Sequence, residues 1–244
     1  MMNLGIKTGF KRGVWALALS VAGIGVAQAG PIFDEFGALP GVEFGGDGIP
    51  NGAVAISRAQ TSAGELTLGI TAHQRFVGPN LQNDGAGTFI ANTGTNFSPG
   101  GTEGAVWNFA FHINLEGQGN TFDDLVGAGY SFQLAYDVDP GNGTDFGILL
   151  FDPFLGGQAT IEGSQNLLFS FLFDDGLPFI TAPSGGFNPS VAGLYSFELS
   201  AISPTGGTVL AAIDVRVVPV PASLGLLGLG LIGFGFMRRR KSVH

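Results

Sequence analysis

Hydrophobic and polar positions alternate with a period of two through much of the middle of the chain. In residues 106–115 the odd positions Trp107, Phe109, Phe111, Ile113 and Leu115 make one apolar face, against Asn108, Ala110, His112 and Asn114 on the other. Residues 130–139 set Tyr130, Phe132, Leu134, Tyr136 and Val138 against small or polar neighbours. The same period recurs at Leu66/Leu68/Ile70, at Leu167/Phe169/Phe171/Phe173, at Tyr195/Phe197/Leu199 and at Val209/Ala211/Ile213/Val215/Val217. Such alternation predicts half-buried antiparallel strands, and no stretch of the middle shows a capped 3.6-residue stripe. Turn clusters separate the runs, among them Pro140, Gly141, Asn142 and Gly143, then Asp174, Asp175 and Gly176, and later Ser203, Pro204, Thr205, Gly206 and Gly207.

Roughly eight to eleven short strands at this spacing predict one all-β fold, an antiparallel β-sandwich, with a jelly roll among the compatible arrangements. The Phe-rich faces supply its core, and Trp107, Tyr130, Tyr136 and Tyr195 fall on those faces. No fixed-period repeat or long linker divides residues 30–218, so they read as one domain, with residues 30–50 as a loosely held lead-in.

Charge changes the picture because it is segregated. All 19 acids lie in residues 30–218, where only Arg58, Arg75 and Arg216 oppose them, for a formal charge of −16. A surface of this sign repels nucleic acid and anionic lipid, which sets aside a nucleic-acid partner. The chain has no cysteine, which excludes disulfides, thiolate metal sites and a Cys nucleophile.

The cations sit at the two ends. Lys7, Lys11 and Arg12 precede a 13-residue apolar run, residues 14–26, which is followed by Ala27-Gln28-Ala29. That order reads as a signal peptide, residues 1–29, handled by the Sec translocon and cut by signal peptidase between Ala29 and Gly30. At the other end, residues 222–237 carry no charge, and residues 217–237 extend the stretch to 21 positions. This is long enough for a single transmembrane helix, and Arg238, Arg239, Arg240 and Lys241 would hold its far end in the cytoplasm.

Val218-Pro219-Val220-Pro221-Ala222-Ser223, then the Leu/Gly-rich span and the basic cluster, resembles the PEP-CTERM sorting tail of Gram-negative bacteria in its VPxPAS form. The resemblance covers residues 219–244 and implies an exosortase-like membrane protease as partner, which recognises the proline motif and passes the protein to the cell surface or the exopolysaccharide matrix. Val220 stands where the family's namesake motif has glutamate, which implies a variant exosortase subclass.

Candidate chemistry is sparse. Asp137 and Asp139 share one strand face and Asp145 can return to them across a Gly-rich turn, so clustered carboxylates suggest a Ca²⁺ site. The EF-hand pattern fails at Gly141 and Ile148, and a solubilising turn capped by its own Asp and Asn side chains is the competing explanation. Asp123 and Asp124 fall in an expected long loop, and with 19 acids available some glycosidase-like pair always presents itself. His112, on the polar side of its run, reads as an exposed strand histidine; neither it nor His73 belongs to an H-E-x-x-H pattern. No G-x-S-x-G elbow or P-loop is present. The expectation is a non-enzymatic, exported surface or matrix protein associated with exopolysaccharide, with no catalytic residue. A calcium-dependent carbohydrate-binding module is the alternative, and a secreted glycoside hydrolase the least supported.

Overall fold

The computed structural model describes residues 30–76, 80–117, 119–141 and 143–220. The expected signal peptide and the span with its basic cluster lie outside the described residues. Among those described, no helix is long and apolar enough to cross a membrane.

Among the described residues, fourteen strands follow in order: β1 (Glu35–Gly37), β2 (Val54–Gln60), β3 (Glu65–Gln74), β4 (Gln82–Asn83), β5 (Thr88–Asn92), β6 (Thr95–Phe97), β7 (Glu103–Ala105), β8 (Trp107–Glu116), β9 (Ser131–Asp137), β10 (Phe146–Leu150), β11 (Thr160–Gln165), β12 (Ile180–Thr181), β13 (Gly193–Ile202) and β14 (Thr208–Val218). They form a five-stranded sheet, β1-β2-β3-β8-β11, and a seven-stranded sheet, β12-β10-β9-β13-β14-β5-β4, with β6 and β7 as a separate hairpin. The smaller sheet is antiparallel throughout. In the larger, β13 lies beside β9 while β9, β10 and β12 are successive neighbours, a Greek-key order interrupted by β11 in the other sheet.

The expectation of purely antiparallel pairing is corrected at one place: β14 pairs parallel with β5, from Asp214 opposite Thr88 to Val218 opposite Asn92. The short hairpin of β4 with β5 explains it. The chain crosses between sheets after β3 and enters β4 at the end where β14 leaves, so β5, one hairpin later, runs the same way as β14.

The inward faces follow the alternation. Trp107, Phe109, Phe111, Ile113 and Leu115 of β8 meet Phe132, Leu134 and Tyr136 of β9, Tyr195, Phe197 and Leu199 of β13, and Ala211, Ile213, Val215 and Val217 of β14 in one buried cluster. Phe109 stacks on Phe197 at 4.6 Å between ring centroids, and Trp107 meets Phe197 and Phe187 edge-on. Burial of these rings removes the largest apolar areas in the chain from water.

Three local expectations are revised. Residues 167–173 are not a strand: Ser170–Phe173 is a 3₁₀ turn that buries Leu172, while Phe169, Phe171 and Phe173 pack only partly on the core. Asn166 sets the turn, accepting from Leu168 N and Ala105 N and donating to the Ala105 and Trp107 carbonyls. Asp123 and Asp124 open a short helix, α1 (Phe122–Gly127), rather than lying in a long loop; Asp124 Oδ2 accepts from Thr121 N at 2.9 Å. Finally, residues 38–50 are not loose. They form a strap over the outer face of the smaller sheet, where Leu39, Val42 and Phe44 bury Val54, Ile56 and Ala110 in a second cluster.

Phe109→Ala should cost about 3–5 kcal/mol in denaturant unfolding, because a buried ring at the centre of both sheets is lost. Phe97→Ala, at a side chain 64% exposed, should change stability by less than about 0.5 kcal/mol.

Candidate functional site

The sorting junction is built by β14. Val217 is opposite Gly193 of β13 and Ala91 of β5, and Val218 is opposite Asn92. Thr93 N donates to the Val218 carbonyl at 2.9 Å, which closes the last rung. Pro219 cannot donate to a further rung, and it and Val220 are exposed. Pro221, Ala222 and Ser223 lie outside the described residues, as do Arg238, Arg239, Arg240 and Lys241. Gly30, at the expected signal cleavage point, is exposed, and two residues later Ile32 exchanges both backbone hydrogen bonds with Ala212 in the middle of β14.

Val220 borders a cavity of about 250 Å³ shared with Gln74, Arg75, Asn92, Asn96 and Trp107. Arg75 is buried, and Nη1 donates to the Asn96 carbonyl at 2.8 Å and to Asn96 Oδ1 at 3.2 Å. Its guanidinium lies against Gly104, where a Cβ would come within 2.1 Å of Nη1, so a larger residue there would displace the guanidinium. The arginine ties the β6–β7 hairpin to the end of the sandwich.

A polar cleft of about 300 Å³ opens on the outer face of the smaller sheet beside the strap. Register explains its lining: Arg58, Thr67, Asn114 and Thr160 are successive cross-strand neighbours, and His112 and Glu162 form the next rung. His112 is buried, not exposed as expected, because the strap covers it and Phe44 packs edge-on at 6.5 Å. Its Nδ1 donates to Glu162 Oε1 at 2.9 Å, while Oε2 accepts from Glu43 N and Gly45 N, each at 3.2 Å. Glu162 therefore holds the histidine and the strap together. Desolvation lowers the His112 pKa, against the opposing pull of Glu162. Among the described residues, His112 Nε2, Thr67 Oγ1 and the Asn114 amide nitrogen make no hydrogen bond. His73 is also buried: Nδ1 donates to the Gln74 carbonyl and Nε2 accepts from Ser164 Oγ, each at 2.9 Å. Asn108 also donates to Ser164 Oγ, so this row satisfies its own polar groups.

The three candidate calcium ligands are committed to backbone N–H groups. Asp137 is fully buried; its Oδ1 accepts from Asp139 N at 3.0 Å and Asp145 N at 2.9 Å, closing the β9–β10 loop. Asp139 Oδ1 accepts from Gly141 N at 2.8 Å. Asp145 accepts from Ser184 N at 2.8 Å and Gly185 N at 2.5 Å. Burial works against the charge on Asp145, yet these donors hold its pKa below the ordinary range. Among the described residues no three His, Asp or Glu side chains are grouped to hold a metal ion. Asp137 Oδ2 is buried without a hydrogen-bond partner, and desolvation pushes that carboxyl above its ordinary range.

The polar row of the cleft was readable as the second face of each strand, but its burial was not, since the strap gives no periodic signal. The His112–Glu162 pair, 50 residues apart, has no local signature either.

Against known proteins, the family model of the PEP-CTERM protein-sorting motif matches residues 217–241. The match starts inside β14, one residue before its last rung. A tail of this kind implies an exported, membrane-passing protein of Gram-negative bacteria that is processed by an exosortase, a membrane protease. No curated protein and no solved structure matches the chain.

Two titrations follow. Asp137 has a folded pKa above its unfolded one, so the stability it contributes is full below the unfolded value, about 3.9, and is lost as pH rises through the folded value. Asp137→Asn cannot ionise, so its melting temperature should gain on the parent's as pH is raised from the acid side; a constant difference would contradict this. Glu162→Gln removes the group that raises the His112 pKa, so NMR titration of the imidazole should give a lower value than in the parent chain.

Proposed function

We propose that the chain is a non-enzymatic protein of the cell surface or extracellular matrix, associated with exopolysaccharide and delivered there by exosortase-type processing of its tail. The observation that carries this is the position of the sorting motif. A cut beyond Val218 leaves every described strand intact, because the last rung is made by Val218 itself. The released domain keeps a formal charge of −16, which favours a hydrated, soluble surface and permits bridging to anionic polymer through divalent cations in solution.

The polar cleft beside the strap supports a second function, recognition of a saccharide through Thr67, His112 and Asn114. The carboxylates of the β9–β10 loop, which accept from backbone N–H groups, are not part of this cleft.

Fractionation of the native host tests the sorting function. The wild-type protein should be found at the surface or in the matrix, open to added protease on intact cells. The Pro219→Ala/Pro221→Ala chain should stay with the inner membrane; identical distribution of the two would refute processing at this motif. A glycan array separates the two roles of the domain. Uniformly weak binding fits a matrix component, whereas one preferred glycan, lost on Thr67→Val and Asn114→Ala, would establish saccharide recognition.

A further inference from the structure

We propose that the end of the sandwich from which the tail leaves is a membrane-seating surface, its exposed rim of Phe76, Phe97, Val191 and Val220 resting in the interfacial layer of the bilayer that holds the tail. This seating rests on the tail being membrane-inserted before it is cut.

Hydrogen bonds and one shared cavity bring the four residues to the same end of the sandwich. Val218, the last rung of β14, is bonded to Thr93 N, and the next amide, Gly94 N, donates to the Pro189 carbonyl, two residues before Val191. Arg75 lines the same cavity as Val220 and donates to Asn96, the neighbour of Phe97 in β6. The Phe76 ring lies 4.5 Å from the Arg75 guanidinium. Seven large hydrophobic side chains are exposed among the described residues, and four of them are these. Phe76 is 58% exposed and has φ 66°, a left-handed backbone that is unfavourable for a bulky residue. The chain thus spends conformational strain to hold an aromatic ring in water, which makes sense where another surface covers it.

The length of chain beyond the rim identifies that surface. Ala222 opens the uncharged stretch of residues 222–237, and two residues of extended chain separate it from Val220 by at most about 7 Å. With the stretch in the hydrocarbon, the rim cannot stand clear of the headgroups. Aromatic side chains favour that layer, and apolar area buried there strengthens binding. Acids flank the rim on two sides. Asp139 and Asp145 belong to the β9–β10 loop, whose Pro140 carbonyl accepts from Leu194 N at 3.4 Å, and Glu103 of β7 accepts from Thr95 Oγ1 at 2.7 Å. They disfavour anionic headgroups, so the seat fits a zwitterionic lipid surface.

The test uses the tail-bearing protein, produced in a host lacking an exosortase and reconstituted into phosphatidylcholine vesicles with acyl chains brominated near the headgroup. Phe97→Trp and Phe76→Trp each place a fluorophore on the rim. Phe154→Trp is the reference, since its turn is tied to Ser131 through Asp152 and Ser131 is opposite Ile202, at the far end of β13 from Gly193. Buried Trp107 is a background common to all three. Resistance to alkaline extraction scores tail insertion separately. Quenching at positions 97 and 76 but not at 154, lost when the chain is ended at Val220, is the expected result. An inserted tail with no quenching at either rim position overturns the seating and leaves the sorting tail standing. A tail that alkaline conditions extract overturns both.

Discussion

The larger sheet closes only when β14 lies between β13 and β5. Its side chains Ala211, Ile213, Val215 and Val217 complete the core, and its outer edge receives Ile32 at Ala212 and then β5 from Asp214 onward. The last described strand therefore also pairs with Ile32, near the first described residues, which β1 joins to β2 a few positions later. Sandwich and tail share a segment, because the sorting motif begins at residue 217 while the ladder ends at Val218. With the tail held in the membrane as proposed, that overlap couples folding to sorting: the last residue of the ladder lies within the motif, and only Pro219, Val220 and Pro221 stand between it and the uncharged stretch.

The two outer faces solve a common difficulty of sandwiches, polar residues covered by other chain. On the smaller sheet, Glu162 accepts from both the strap backbone and His112, so one carboxylate fixes a non-periodic segment over a polar rung. On the larger sheet, Asp214 accepts from Ser196 Oγ at 2.7 Å, while burial raises its pKa and that of Glu198. The carboxylates of the β9–β10 loop accept from backbone donors, Asp137 inside the core and Asp139 and Asp145 at a recess that they line with Ser184 and Gly185. Much of the acidity that suggested metal binding is thus used in holding loops, as Asp and Asn do in turns generally. The remainder gives the surface its sign.

Much of the fold was legible because strand period survives in sequence. Every inward residue of β8, from Trp107 to Leu115, could be assigned from alternation alone, and so could the tyrosines that proved buried, Tyr136 and Tyr195. Residues 167–173 misled because a short apolar run with period two can also be satisfied by a turn in which Leu172 faces inward. The burial of His112 depended on Phe44 and Glu162, both distant in sequence, and the parallel pairing of β5 depended on where a two-residue strand enters the sheet. Tertiary placement decided all three. The sorting tail was legible for the opposite reason: its signal is a local order of prolines, apolar residues and cations.

The most direct test of the coupling between fold and tail is the intact mass of the protein recovered from the surface of its native host. The mass should correspond to a chain that begins at Gly30 and ends shortly after Val218, with the basic cluster of Arg238, Arg239, Arg240 and Lys241 removed. A recovered chain that still ends at His244 would contradict it, and would make the C-terminal segment a permanent anchor.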